Sequence, residues 1–201
     1  MPGSPVVPLR AVSVYCGSNP GADPSYAGAA VEMGTELGRR GIDLVYGGGH
    51  VGLMGIAADA ALAAGGCVHG VITHALQAHE VEHVGLTSLT IVDTMHERKF
   101  MMADRSDAFV MLPGGFGTLD EFFEVVTWTQ LGVHTKPCGI LDVRGFFDPL
   151  LQFLDHATGQ QFIRPQHRAS IVVDTDAAAL LDQLTAIALP TVEKVISREE
   201  R

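Results

Sequence analysis

Segments with strand-like spacing alternate with segments of helical spacing along most of this 201-residue chain. Such alternation favours βαβ units with right-handed crossovers, and therefore a mostly parallel sheet with helices on both faces. The predicted fold class is α/β. Strands are expected at residues 10–15, 42–46, 67–73, 89–92, 108–112, 137–143 and 170–173, and helices at 26–40, 53–64, 94–107, 119–126, 147–158 and 176–187.

Composition predicts one domain and excludes some partners. A hydrophobic fraction of 47% is enough for one substantial core, which we place in residues 10–190, between a loose extension at 1–9 and a polar tail at 191–201. Thirteen basic against twenty-three acidic residues, a net charge of −10, argue against nucleic acid and against anionic membranes. No stretch reaches transmembrane length or resembles a signal peptide. Cys16, Cys67 and Cys138 are few and far apart, as expected of free thiols in a reducing cytoplasm.

The most informative motif is Pro-Gly-Gly-Phe-Gly-Thr at residues 113–118, followed by Glu121. It lies between a predicted buried strand and a predicted helix. Glycines let backbone N–H groups approach a phosphate, and a helix N-terminus adds positive potential. Ligands of parallel sheets bind at the carboxyl ends of strands, where this motif falls. We expect a small phosphorylated ligand there.

A second glycine-rich run, residues 47–52, matches the dinucleotide pattern G-x-G-x-x-G. That interpretation also needs an acidic residue at the end of the next strand, and this strand ends in Ile72, Thr73 and His74. A tight turn that packs a helix closely on a strand is therefore favoured over a dinucleotide site, and a mononucleotide contact is favoured over both.

Residues 79–83 match H-E-x-x-H, the pattern that binds zinc when it lies on a helix. Here the segment is short and lies between two predicted strands, and only His96 offers itself as a third ligand. We favour a polar loop, with a ligand contact by Glu80 as the competing interpretation. No metal ligand and no cofactor is predicted.

Two charged features have alternative interpretations. Thr94 and Glu97 form a predicted capping box, and the adjacent Arg98 and Lys99 lie in a first helical turn, where the helix dipole disfavours cations. They are either a solvated face or, as we prefer, contacts to an anionic ligand or substrate. Glu121 is either the capping-box partner of Thr118 or a functional carboxylate, and the pattern does not separate the two.

These residues resemble a known family. Residues 113–121 fit its P-G-G-x-G-T-x-x-E motif, and Met95-His96-Glu97-Arg98-Lys99 fits its M-x-x-R-K partner. Together they resemble the "Lonely guy" cytokinin-activating phosphoribohydrolases, over nearly the whole chain. The resemblance implies a Rossmann-like domain without a cofactor that hydrolyses the N-glycosidic bond of N6-modified adenosine monophosphates, with AMP as a simpler substrate.

The resemblance also assigns residues by position. It implies that Arg98 and Glu121 are the catalytic pair. The implied substrate-binding residues are Gly47, Gly48, Glu80, Arg98, Lys99, Gly114, Gly115, Phe116, Gly117, Thr118 and Thr127.

Two other functions are associated with sequences of this kind. Members of this family have been labelled lysine decarboxylases, but that chemistry needs a lysine bound to pyridoxal phosphate, and Lys99, Lys136 and Lys194 have no such setting. A non-catalytic carrier of a nucleotide-type cofactor is the alternative. A carrier needs the glycine loops but not both Arg98 and Glu121, so their joint presence favours the enzyme.

We also expect a homodimer with its sites near the subunit boundary. The helix after the motif carries more apolar side chains than one face of a sheet needs to cover. These are Phe122, Phe123, Val125, Val126, Trp128 and Leu131.

Overall fold

The computed structural model describes residues 8–77 and 83–189, which form seven strands and eight helices. The strands are β1 Ala11–Tyr15, β2 Asp43–Tyr46, β3 Val68–Thr73, β4 Ser88–Val92, β5 Ala108–Met111, β6 Cys138–Leu141 and β7 Ile171–Asp174. The helices are α1 Pro24–Arg40, α2 Gly52–Ala63, α3 His74–Gln77, α4 Met95–Asp104, α5 Phe116–Gln130, α6 Asp148–Gly159, α7 Pro165–Arg168 and α8 Ala177–Ala186.

The sheet is parallel throughout, in the order β4-β3-β2-β1-β5-β6-β7. From β1 the chain winds outward to β4, then crosses back and places β5 against the other edge of β1, pairing Tyr15 with Met111. The loops after β1 and β5 therefore leave the sheet side by side in opposite directions. In open parallel sheets this switch point is where ligands bind. The predicted α/β fold with a Rossmann-like sheet is confirmed.

Two helical layers cover the sheet, and the apolar core lies in both. On one face, α1, α2 and α8 contribute buried residues such as Met33, Ala58 and Leu180. On the other face, α4, α5 and α6 contribute buried residues such as Met102 and Phe122. The parallel strands are buried on both sides, which explains why they are apolar along their length.

Local signals set several helix ends as predicted. Gly41 ends α1 with φ of 66°, a left-handed conformation that glycine adopts without steric cost. Thr94 caps α4 by accepting a hydrogen bond from the Glu97 amide, and the Glu97 carboxylate accepts one from the Thr94 amide. The capping box at Thr94 is therefore confirmed.

Of the two interpretations of Glu121, the capping box with Thr118 is wrong. The helix α5 begins at Phe116, three residues earlier than expected, and its N-cap is Gly115. Thr118 is a buried residue inside the first turn, so Glu121 does not occupy the third helical position. The T-x-x-E spacing does not reveal this earlier start, because the N-cap residue Gly115 has no side chain that would mark it as a cap.

The remaining predicted elements are all present, with ends shifted by a few residues. The short helices α3 and α7 were not predicted, because four residues are too few to show a helical period. Residues 1–7, 78–82 and 190–201 lie outside the described part, so most of the predicted extension at 1–9, the whole tail and most of the H-E-x-x-H segment fall there. None of the helices in the described ranges combines the length and apolarity needed to cross a membrane.

Candidate active site

A cavity of about 390 Å³ lies at the carboxyl ends of β1 and β5. Residues 16–21, which follow β1, form one wall, and residues 113–118, which follow β5, form the other. Arg98 and Glu121 also line it. Apolar side chains complete the lining: Tyr26, Leu53, Met54 and Phe146. The cavity therefore joins a glycine-rich backbone surface, a charged pair and an apolar region.

Backbone contacts hold the two walls together. The amide of Gly17 donates to the carbonyl of Pro113 at 3.0 Å, and the amide of Leu53 donates to the carbonyl of Gly17 at 3.0 Å. A Cβ atom on Gly114 would collide with the Thr118 hydroxyl and crowd the Gly17 amide. Gly114 is therefore required by the close approach of β5, α5 and the loop after β1.

The start of α5 faces this cavity without a side-chain cap. Gly115, the N-cap residue, has no side chain, and the first turn of α5 contains no acidic residue. Residues 115, 116 and 117 all line the cavity. Amide N–H groups and the positive end of the helix dipole therefore border a space open to an anion.

Arg98 and Glu121 form a buried ion pair at the edge of the cavity. Arg98 Nη1 donates to Glu121 Oε1 at 3.0 Å, and the two side chains are only 6% and 13% exposed. The remaining guanidinium nitrogens donate to backbone carbonyls, Nε to Val71 at 2.9 Å and Nη2 to Gly47 at 3.2 Å. Three bonds from one planar group fix the position of Arg98, and through it that of the Glu121 carboxylate.

The arrangement explains the cation in the first turn of α4. Arg98 is not a solvated charge, because its guanidinium is buried against β2, β3 and α5. Removing one member of a buried ion pair leaves the other charge uncompensated, at a cost of about 3–5 kcal/mol. The pair therefore contributes to the packing of α4 on α5 as well as to the cavity.

The glycines after β2 make room for the Arg98 side chain and for the neighbouring elements. A Cβ atom on Gly47 would collide with the Arg98 guanidinium, and Gly48 has φ of 80° and packs against Leu89 and Ile72. Gly52, with φ of 64°, starts α2 directly against the backbone of Ser18. The G-x-G-x-x-G run thus packs a helix closely on a strand, as the tight-turn interpretation predicts, while the mononucleotide contact that the sequence favours more strongly stays a prediction.

The negative charge of Glu121 affects two titratable side chains near the cavity, Cys16 and Tyr15. Burial raises the pKa of the Cys16 thiol, and the negative charge of Glu121 raises it further. The same two causes raise the pKa of Tyr15 well above its ordinary value. Both groups therefore stay protonated at neutral pH, so Cys16 is not a nucleophile of thiolate type.

Four of the described residues predicted to bind substrate lie outside the lining of this cavity, namely Gly47, Gly48, Lys99 and Thr127. Lys99 Nζ is 3.2 Å from a carboxylate oxygen of both Asp120 and Glu124 on α5. Burial alone would lower the Lys99 pKa, but its hydrogen bonds to these two carboxylates raise it. Thr127 is exposed, and its hydroxyl donates to the Phe123 carbonyl at 2.7 Å. Glu80 lies outside the described residues.

Sequence reasoning missed the other half of the cavity. Ser18 and Asn19 line it from the loop after β1, and Tyr26 and Phe146 form an edge-to-face pair with ring centres 5.5 Å apart. The only local signal was the break of strand β1 into a Cys-Gly-Ser-Asn-Pro loop. The adjacency of β1 and β5 is needed to recognise that loop as part of a site.

Comparison with known proteins identifies the family. A family model described as "possible lysine decarboxylase" matches residues 54–184. A probable cytokinin riboside 5'-monophosphate phosphoribohydrolase of Oryza sativa subsp. japonica is 51% identical over 176 residues, 88% of this chain and 78% of that protein. The cytokinin riboside 5'-monophosphate phosphoribohydrolase of Rhodococcoides fascians is 47% identical over 168 residues, 83% of this chain and 85% of that protein. The chain belongs to the Lonely guy family.

Solved structures show how widely this Lonely guy fold is shared. The molybdenum cofactor binding protein of Rippkaea orientalis superimposes with a TM-score of 0.66 at 19% identity, covering 87% of this chain and 94% of that chain. The molybdenum cofactor carrier protein of Chlamydomonas reinhardtii gives a TM-score of 0.66 at 20% identity, over 88% and 98% of the two chains. At such identities the likeness concerns the fold alone.

Proposed function

We propose that this protein hydrolyses the N-glycosidic bond of N6-modified adenosine 5'-monophosphates. The products are the free cytokinin base and ribose 5-phosphate, and AMP is a simpler substrate. The observation that carries the proposal is the buried Arg98–Glu121 pair beside the uncapped start of α5, in one cavity. Relatives at 46–51% identity that carry the phosphoribohydrolase name support it.

The two ends of the substrate match two parts of the cavity. The 5'-phosphate binds to the amides of residues 114–118, where the helix dipole favours an anion. Ser18 and Asn19 on the opposite wall add donors to the same space. Binding energy from the phosphate, which does not react, then orients the ribose against Glu121.

The chemistry assigns separate tasks to the charged pair. Cleavage of a glycosidic bond develops positive, oxocarbenium-like charge on the ribose, and the Glu121 carboxylate stabilises that charge. Arg98 fixes the carboxylate through Nη1 while two carbonyls hold the rest of the guanidinium in place. Arg98 thereby positions Glu121 and adds positive charge near the nucleotide.

The residue assignments that follow from family membership are part of the proposal. We assign Glu80, Lys99 and Thr127 to substrate contacts, and Gly47 and Gly48 to the loop that borders the site. Support for Lys99 is its position on α4 next to Arg98, where the carboxylates of Asp120 and Glu124 hold its charge.

Lysine decarboxylation does not fit these side chains. Lys136 Nζ donates to the carbonyls of Ala103 and Asp104, and Lys99 is held by two carboxylates. Neither lysine lines the cavity. A lysine that binds pyridoxal phosphate must instead be available to form a Schiff base in a cofactor pocket.

We further propose a cytoplasmic homodimer. Free cysteines at 16, 67 and 138 support the compartment. Phe123, Val126, Trp128 and Leu131 on and after α5 remain half-buried in the single chain, which supports a partner surface there. Light scattering at micromolar concentration should give twice the 21.3 kDa chain mass. A monomeric mass contradicts the dimer.

A direct assay tests the function. Purified protein is incubated with AMP and, separately, with isopentenyladenosine monophosphate, and the free base is followed by chromatography. We expect base and ribose 5-phosphate in equal amounts. If neither substrate yields base while a nucleotide binds tightly, the protein is a carrier and the proposal is wrong.

A further inference from the structure

Three side chains outside the cavity converge on one point. His50 lies on the loop after β2, Asp59 lies on α2, and His83 lies between α3 and β4. His83 Nε2 is 3.0 Å from Asp59 Oδ1, and the ring of His50 meets the ring of His83 edge-on at a centroid distance of 4.7 Å. One ligand atom from each residue lies within 4.8 Å of the other two.

His83 is the buried member of this cluster, and its polar atoms are incompletely satisfied. The residue is 4% exposed, and Nδ1 is buried with no hydrogen-bond partner among the described residues. His50 and Asp59 are exposed, so an ion can reach the cluster from solvent.

We propose that His50, Asp59 and His83 bind a zinc-type divalent transition metal, with water completing the coordination. Two imidazoles and one carboxylate favour zinc and its neighbours over Mg²⁺ or Ca²⁺, which prefer shells made of oxygen. The histidine pattern at residues 79–83 did not predict this set, because two of the three ligands come from elsewhere in the chain.

The geometry requires little movement. Tetrahedral zinc with bonds of about 2.0–2.1 Å places its ligand atoms roughly 3.3 Å apart. The present spacing, within 4.8 Å, closes to that value by rotation of the exposed side chains of His50 and Asp59. His83, which is packed in the protein, serves as the fixed ligand.

We expect zinc binding to stabilise the folded chain. The ion would connect α2 to the loop after β2 and to the segment before β4. That loop includes Gly47, whose carbonyl accepts a hydrogen bond from Arg98, and Gly48, whose carbonyl accepts one from the His83 amide at 3.4 Å. Because these ligands do not line the cavity, the metal takes no part in the glycosidic reaction.

The test uses the full chain, treated with chelator and then titrated with ZnCl₂ by calorimetry or against a chromogenic chelator. We expect one zinc per chain and a rise in Tm of a few degrees at saturation. His50→Gln and Asp59→Asn should each weaken zinc binding by roughly tenfold or more. Both residues are exposed, so we expect both variants to fold. His156→Gln, an exposed histidine on α6, is the matched control and should bind zinc like the wild type.

Several outcomes overturn the proposal. No stoichiometric zinc binding, or equal affinity in the wild type, His50→Gln and Asp59→Asn, removes the site. Tighter binding of Mg²⁺ than of Zn²⁺ contradicts the assigned class of metal. A hydrolysis rate with AMP that falls on chelation and returns with zinc contradicts the placement outside the reaction. An unchanged rate together with stoichiometric zinc binding supports the proposal, and an inactive protein that binds zinc rejects the proposed function alone.

Discussion

Helices α4 and α5 begin at the same edge of the sheet, yet their first turns differ. The start of α4 is closed by its own side chains, since Thr94 and Glu97 bond each other's amides. The start of α5 has a glycine N-cap and no side-chain cap. One terminus is satisfied internally, whereas the other is left available for an anion at the cavity.

The charges of the two helices complement this difference. The cations of α4, Arg98 and Lys99, reach across to the carboxylates of α5, Glu121 and Glu124. The ion pair with Glu121 thus offsets the unfavourable position of Arg98 near the positive end of its own helix dipole. The capped start of α4 therefore stabilises its own helix, whereas the uncapped start of α5 borders the cavity in which we propose that a ligand binds.

The largest expected effect is that of Glu121→Gln. Glutamine still accepts the bond from Arg98 Nη1 but provides no negative charge for an oxocarbenium-like transition state. We expect a loss of roughly 100-fold or more in kcat, and also a lower Tm, because the buried Arg98 loses its charge partner while keeping a hydrogen-bond acceptor. Steady-state kinetics and thermal unfolding measure both. Glu124→Gln, one turn away and paired with Lys99, is the control and should retain most of its turnover. A kcat near that of the wild type in Glu121→Gln would show that the Glu121 carboxylate has a structural role and not a catalytic one.

The next effect concerns the phosphate. If the start of α5 binds the 5'-phosphate, nucleosides lose the interaction that orients the ribose. We expect kcat/KM for isopentenyladenosine to be lower than for its monophosphate by about tenfold to 100-fold or more. Both substrates are compared under one set of assay conditions. Equal kcat/KM for the nucleoside and its monophosphate would show that the uncapped start of α5 does not bind the 5'-phosphate.

A glycine pair in the same loop separates packing from helix propensity. Gly114→Ala places a Cβ atom against the Thr118 hydroxyl and the Gly17 amide, so we expect a loss of about 1–3 kcal/mol in the free energy of unfolding. Gly117→Ala meets no atom within 4 Å in the first turn of α5 and should leave stability equal or higher. Urea unfolding of both variants measures the difference. Equal destabilisation would show that the close approach at Gly114 is not what requires glycine.

The smallest effect tests the capped terminus. Thr94→Ala removes the acceptor for the Glu97 amide and should cost about 1 kcal/mol of stability. Thr94→Ser keeps the hydroxyl and should restore most of it. Activity at saturating substrate should stay close to that of the wild type for both variants, in contrast to changes at the start of α5. A large loss of activity in Thr94→Ala would mean that the α4 cap also controls the position of Arg98.

Local patterns were sufficient for most of the secondary structure. Strand and helix periods, the glycine at 41 and the capping box at Thr94 each depend on residues within a few positions of one another. The same kind of pattern failed at Thr118, because the T-x-x-E spacing does not reveal that the helix already begins at Phe116 with Gly115 as its N-cap. Short helices such as α3 were missed for lack of length.

The order of residues alone is sufficient to predict the alternation of strands and helices, the glycine-rich turn after β5 and the motifs that mark the family. Packing in three dimensions decided that Arg98 is buried against Glu121 and two backbone carbonyls, and that the loop after β1 forms the other wall of the cavity. It also decided that His83 meets Asp59 and His50 rather than a neighbour in sequence. The physical reason is that local propensities act over one or two turns. The partner of a charge, by contrast, depends on which strands the crossovers place side by side.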